Sequence, residues 1–278
     1  MAGRFVGKRV VITGASAGIG AAAARQFAAE GAQLILAARG RPALERIASQ
    51  IGADRAWAVP TDVKDVQAAA ALLDRAQTHL GGIDILVNNA GYHARGPLET
   101  RTPEELTQMV DVNLRAPIIL CRLALPYLRR AGGGAIVNVA SLAGWVPSAE
   151  AATYCATKSG LRAFSMALAE ELEPDGITVS LVSPGLVDTE FFAGQIEQIA
   201  PQVFLQPISS AEAVADAILA CAHDGRAERT APPHAGTLCT LGYVFPRARR
   251  LLRPVIAWRG RRKKQQFINS KRRAEGRE

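Results

Sequence analysis

Cysteine and histidine are scarce in this 278-residue chain, with four of each. Cys121, Cys155, Cys221 and Cys239 are widely spaced and form no Cys-x-x-Cys pair. The histidines are scattered too, so neither a zinc site nor a disulfide framework is expected, and the thiols are read as buried and reduced. Long apolar runs are also missing. No stretch of 18 apolar residues occurs, which excludes a membrane-spanning helix. The opening Met1–Arg9 runs into a strand-like segment without a signal-peptide core, and a cytoplasmic protein is expected. With 49% hydrophobic and 21% charged residues, the chain is neither disordered nor collagen-like.

Negative charge is what the C-terminus lacks. Residues 246–278 hold 13 Lys and Arg against 2 Asp and Glu, a local charge of +11, whereas the preceding residues carry −3. The overall +8 therefore belongs to a tail rather than to a basic body. This argues against nucleic acid as the main partner and suggests an attached electrostatic device.

What is present is an alternation of short apolar runs with longer helical stretches. Strands are expected at Lys8–Gly14, Gln33–Ala38, Ala56–Pro60, Ile83–Asn88, Ala135–Ala140 and Ile177–Val182. Helices are expected at Ile19–Glu30, Pro42–Ile51, Val63–Leu80, Pro103–Arg130 and Ala151–Leu172. Continuously apolar strands fit a sheet covered on both faces. Alternating βα units imply a single α/β, doubly wound, Rossmann-type domain with a parallel sheet. The expected division is a catalytic domain over 1–235, with a substrate lid at about 186–210, and a basic amphipathic extension over 236–278.

Between the first strand and helix lies Thr13-Gly14-Ala15-Ser16-Ala17-Gly18-Ile19-Gly20. Gly14 permits a tight exit from the strand, Gly18 a close approach of backbone to a pyrophosphate, and Gly20 close packing of helix on sheet. The helix N-terminus then offers free N–H groups to phosphate. An acid that would accept from the adenosine ribose is lacking after the second strand, where Ala38-Arg39 stands instead. Arg39 suits a 2′-phosphate, so NADP(H) is expected over NAD(H).

Tyr154 and Lys158 are four apart and so share one face of a helix. Ser141 follows the fifth strand, Asn88-Asn89-Ala90-Gly91 ends the fourth, and Asn113 sits in the next helix. Polar residues thus gather at the carboxyl ends of adjacent strands, where open α/β sheets bind ligands. With Pro184-Gly185 added, the set resembles the short-chain dehydrogenase/reductase family in its ordinary subtype, over about residues 5–225.

The resemblance implies an oxidoreductase interconverting a ketone and a secondary alcohol. In it Tyr154 is the general acid–base, Lys158 favours the phenolate and holds the nicotinamide ribose, Ser141 steadies the developing alkoxide, and Asn113 holds a water leading to solvent. A phenol of ordinary pKa about 10 must be tuned downward for this task. Cofactor contacts are implied at Gly14, Ser16, Gly18, Ile19, Gly20, Arg39, Asp62, Asn89, Gly91, Tyr154, Lys158, Pro184, Gly185, Val187 and Thr189. The residues alone leave plainer roles open: Ser141 as a turn cap, Asn113 satisfying backbone at a helix bend, and Asp62 and Thr189 as helix caps. No metal is implied. A non-catalytic NADP-binding regulatory or scaffold protein remains the alternative.

Phe191, Phe192, Ile196, Ile199, Val203, Phe204 and Leu205 make the lid apolar. They either pack it on the body or meet a hydrophobic carbonyl or alcohol substrate. The family's short last strand is not evident, which puts the usual C-terminal oligomer contacts in doubt, although a homodimer or tetramer is still implied. Val244, Ala248, Leu251, Val255 and Trp258 recur every three or four positions between arginines, a pattern suited to an anionic membrane surface, with a tail partly packed on the body and otherwise solvated, or one that binds nucleic acid, as the alternatives. Pro254 argues against one unbroken helix there.

Overall fold

The computed structural model describes residues 3–189, Ile196 and 199–274. Its strands are β1 (Arg9–Thr13), β2 (Gln33–Ala38), β3 (Ala56–Pro60), β4 (Ile85–Asn88), β5 (Gly134–Val139), β6 (Ile177–Pro184) and β7 (Glu228–Ala231). They form one parallel sheet in the order β3-β2-β1-β4-β5-β6-β7. The direction of winding reverses between β1 and β4, and the crevice beyond their carboxyl ends is where such a sheet receives a ligand.

Alternate strand residues divide the interior into two layers. Leu34 and Leu36 of β2 join Phe27 of α1 (Gly18–Ala29), Leu44 of α2 (Arg41–Ile51) and Ile218 of α7 (Ala211–Asp224). On the other face Ile35 and Ala37 join Leu72 of α3 (Val66–Leu80), Leu120 of α5 (Ala116–Arg130) and Leu168 of α6 (Ala152–Leu172). The expected doubly wound domain is therefore present, with both faces of the sheet dry.

Helix α3 begins three residues later than expected. Its N-cap is Asp65, whose carboxylate accepts from the N–H groups of Gln67 and Ala68. Asp62 is thus released from the capping role and accepts instead from Lys64 N at 3.1 Å. The long stretch 103–130 is α4 (Pro103–Val110) running into α5 through a single π turn, Asp111–Arg115. Thr102 and Glu105 close a capping box at its start.

The C-terminal third corrects two expectations. A last strand does exist. β7 pairs with β6 from Leu181↔Glu228 to Pro184↔Ala231. It is only four residues long and polar, and Glu228 anchors it by accepting from Trp145 Nε1 (2.8 Å), Ser183 Oγ (2.7 Å) and Arg162 Nε (2.9 Å). No apolar run announces such a strand. Secondly, α8 (Ala235–Val244) is followed by α9 (Pro246–Ala274), which continues through Pro254. Pro254 is exposed, so water can meet the carbonyl that loses its N–H partner.

Candidate active site

The exit from β1 is built around Gly14, whose φ is +67°. A Cβ there would stand 2.8 Å from Asn89 Nδ2 and 2.9 Å from Ala90 Cα. The neighbouring backbone leaves no room for a side chain, and left-handed φ suits glycine. Gly20 faces the Gly14 carbonyl and Asn89 just as closely. Asn89 fastens the loop by donating from Nδ2 to the carbonyls of Thr13 (3.0 Å) and Gly14 (3.1 Å). Thr13 Oγ1 in turn accepts from the N–H groups of Asn89 and Ala90.

Ala17 precedes α1 without a capping side chain, and the first turn carries no acid. Its open N–H groups and positive dipole end are free for an anion. These features fit the pyrophosphate of a dinucleotide, with exposed Arg39 at the edge of the same cleft.

That cleft has a volume of about 2040 Å³. It is lined by Gly14, Ser16, Gly18, Ile19, Arg39, Asp62, Asn89, Gly91, Pro184, Gly185, Val187 and Thr189, together with Ser141, Tyr154 and Lys158. Of the residues expected at the site, Gly20 and Asn113 lie behind this lining. Among the described residues no group of three or more His, Cys, Asp or Glu side chains is placed to hold a metal.

Ser141 lies two residues past β5, its side chain accepting from Ala143 N at 3.2 Å, so it does cap the following turn, and donating to Pro184 O at 3.4 Å. It lines the same cleft as the Tyr154 phenol. Lys158, one turn along α6 from Tyr154, is 4% exposed. Its Nζ donates to the Val139 carbonyl at 2.9 Å and stands 5.8 Å from the Tyr154 ring centroid. Burial without a carboxylate partner lowers its pKa to about 8. Burial also pushes the Tyr154 phenol above its ordinary range, opposed by the neighbouring Ser141 hydroxyl and the Arg95 charge.

Asn113 is fully buried in the π turn. Its Oδ1 accepts from Tyr92 N at 2.8 Å, and its Nδ2 donates to Tyr92 O at 2.7 Å and to Thr157 Oγ1 at 3.4 Å. It clamps the β4 loop to α6, which is the backbone-satisfying role left open by the sequence.

Two cleft residues were missed in the sequence. His93 and Arg95, 7% and 9% exposed, follow the Asn-Asn-Ala-Gly segment. His93 stacks on Tyr154, and both its ring nitrogens are buried without a hydrogen-bond partner. Burial, with the charges of Arg95 and Lys158 beside it, lowers its pKa to about 3. Burial lowers that of Arg95 to about 10. The only available signal was position: a loop leaving the carboxyl end of β4 must run along the crevice.

The two ends of the lid are joined. Asp188 N donates to Ser209 O and Ser209 N to Leu186 O, at 3.0 and 2.9 Å. Thr189 lies against Gly18. Ile199, Val203 and Leu205 line the cleft, whereas Phe204 turns into a cluster with Leu186, Ile199 and Phe267 of α9. Phe191 and Phe192 lie outside the described residues. Helix α8 packs Ala235 and Cys239 on Leu142 of the Ser141 turn. Leu241, Phe245, Ile256, Ala257 and Arg261 of the extension complete the cleft wall.

A parallel sheet with a glycine-built anion cradle and a Ser–Tyr–Lys group at its switch point defines a dinucleotide-dependent oxidoreductase of the short-chain type. Comparison with known proteins agrees. The profile described as short chain dehydrogenase matches residues 8–200. An uncharacterized oxidoreductase of Staphylococcus aureus (strain USA300) is 33% identical over 226 residues, covering 81% of this chain and 97% of that protein. A short-chain dehydrogenase of Burkholderia cenocepacia J2315, solved in complex with NADP, superposes with a TM-score of 0.75 at 34% identity, covering 82% of this chain and 97% of the other. One from Mycobacterium marinum gives 0.74 at 30%, covering 81% and 94%. The chain belongs to the short-chain dehydrogenase/reductase family.

Proposed function

We infer that this protein reduces a ketone, on a largely hydrophobic substrate, to a secondary alcohol with NADPH. The observation that carries this reading is the convergence of Ser141, Tyr154 and Lys158 on one cleft.

When bound, NADPH supplies the hydride that reaches the carbonyl carbon. Tyr154 gives its phenolic proton to the carbonyl oxygen as charge develops there. Ser141 donates to the same oxygen. Lys158 holds the ribose hydroxyls, and its charge then favours the phenolate left behind. The α1 N-terminus, Ser16 and Ile19 receive the pyrophosphate, Arg39 the 2′-phosphate, Asp62 the adenine, and Val187 and Thr189 the nicotinamide end. Asn113 holds Tyr92 and Thr157 in place around the catalytic helix. Apolar Ile199, Val203, Leu205, Leu241 and Phe245 on the substrate side support a hydrophobic ketone. The basic extension supports a place of action at an anionic membrane surface.

The test is a panel of aliphatic and alicyclic ketones followed by loss of NADPH absorbance. Turnover by the unmodified chain, with Tyr154→Phe binding NADPH equally but turning over about 100-fold more slowly or worse, is the expected result. A change in NADPH fluorescence with no consumption on any ketone would leave only a binding protein.

A further inference from the structure

Helices α8 and α9 meet at Phe245, and the outer side of this elbow is apolar. Tyr243, Leu251, Val255 and Trp258 are between 52% and 82% exposed. Leu251, Val255 and Trp258 fall at i, i+4 and i+7, so they form one stripe along α9. Large exposed apolar side chains elsewhere among the described residues are scattered singly, as on any surface. Here Leu251, Val255 and Trp258 share one helix face, and such a grouping of exposed apolar side chains marks an interaction site.

The inner side of α9 is already committed. Phe267 packs on Phe204, Lys264 Nζ donates to Ile199 O at 2.9 Å, and Lys263 Nζ donates to Leu205 O at 3.2 Å. The helix therefore clasps the lid with one face and leaves the stripe outward. The sequence of this helix carries charge of one sign: residues 246–274 hold twelve Lys and Arg and no acid.

The occupant follows from that pairing. A second copy of the chain would bring the same cations against these. Nucleic acid would meet the arginines but leave Leu251, Val255 and Trp258 in water. An anionic lipid surface satisfies both, taking the apolar stripe at the acyl boundary while long basic side chains stay with the headgroups.

The same elbow walls the cleft through Leu241, Phe245, Ile256 and Arg261. We propose that the α8–α9 elbow docks the protein on anionic lipid, and that the mouth of the cleft opens at that surface, so that a ketone dissolved in the bilayer enters directly. The second half rests on the ketone-reductase reading.

Full-length protein serves for the test, because removing α9 would also remove cleft wall. Sedimentation with vesicles of phosphatidylcholine, with or without phosphatidylglycerol, is compared for the unmodified chain, a Leu251→Ser/Val255→Ser/Trp258→Ser variant and an Arg259→Glu/Arg262→Glu variant. Binding to the anionic vesicles alone, weakened at least about tenfold in both variants and by salt, is expected. Turnover of a vesicle-dissolved long-chain ketone should rise with anionic vesicles only for the unmodified chain, and turnover of a water-soluble ketone should be equal in all three. Undiminished vesicle binding by the serine variant overturns the docking surface, as does retention of duplex DNA in place of vesicles. Docking without a gain for the dissolved ketone overturns entry from lipid. Docking with no turnover of any ketone supports the surface and refutes the ketone-reductase reading, with entry falling alongside it.

Discussion

His93 lies flat on Tyr154, with ring centroids 4.0 Å apart and planes 6° from parallel. An imidazolium could not sit there, between the charges of Arg95 and Lys158 and away from water, so the ring is neutral at physiological pH. Because its folded pKa of about 3 lies below the ordinary 6.5, the unfolded chain takes up a proton first as pH falls. The stability this ring contributes is whole above pH 6.5 and is lost as pH falls toward 3. At pH 5 the loss is about 2 kcal/mol. His93→Phe should keep the stack and remove that loss, read as the difference between urea unfolding at pH 7 and pH 5. An unchanged difference would mean that the imidazole is not held neutral.

Arg95 is the charge that opposes burial of the phenol. Arg95→Met should move the ionisation of Tyr154 to higher pH. In the alcohol-oxidising direction, where the phenolate is the base, the rising limb of kcat against pH should shift up with it, and Arg95→Lys should restore it. A fall in kcat with an unmoved limb would make Arg95 a packing residue.

Lys158 predicts a pH dependence of cofactor affinity. Its ammonium is charged below about pH 8, so NADPH binding should be level below that and weaken above it, by up to about tenfold per unit. The folded pKa lies below the ordinary 10.5, so the unfolded chain binds more protons in between. Stability without cofactor should therefore gain a contribution from pH 8 to 10.5. Lys158→Met should flatten both curves, measured by fluorescence titration and by thermal unfolding.

Arg39 stands exposed at the end of β2 with no acid beside it in sequence. Arg39→Asp should remove the pairing with a 2′-phosphate and offer a carboxylate to a ribose hydroxyl instead. The ratio of kcat/KM for NADPH over NADH should drop by about tenfold or more. An unaltered ratio would place the 2′-phosphate elsewhere.

The parts of this molecule that were legible in the sequence are those governed by local rules. Apolar runs bounded by turns marked β1 to β6, and Gly14 and Gly20 stand where a strand, a loop and a helix meet too closely for side chains. Ser141, Tyr154 and Lys158 were found because, with the glycine loop and Asn88–Gly91, they resemble a family's pattern; helical period alone put only Tyr154 and Lys158 on one face. The rest depended on distant partners. β7 is polar and is held by Glu228 reaching Trp145, Ser183 and Arg162 from three other segments. Asp62 loses its cap to Asp65, a competition between neighbours that composition does not settle. His93 matters through the ring it lies on, which is sixty-one positions away in the chain. Pro254 misled because a helix on the surface tolerates what a buried one does not.

The scarcity of cysteine has a practical consequence. All four cysteines are buried outside any disulfide, and burial drives Cys121 up to about 12 and raises Cys155 and Cys221, so an alkylating reagent meets little thiolate at these three in the native molecule. Each thiol reports the opening of a different region. Cys121 lies beside Asn88 and Asn138 under the central strands, Cys155 beside Ser148 at the catalytic helix, Cys221 on α7 against β6, and Cys239 on α8 behind Leu142. Mass-resolved maleimide capture over time would rank these openings without any engineered label, with Cys239 first, since α8 rests on the smallest apolar cluster, and Cys121 last.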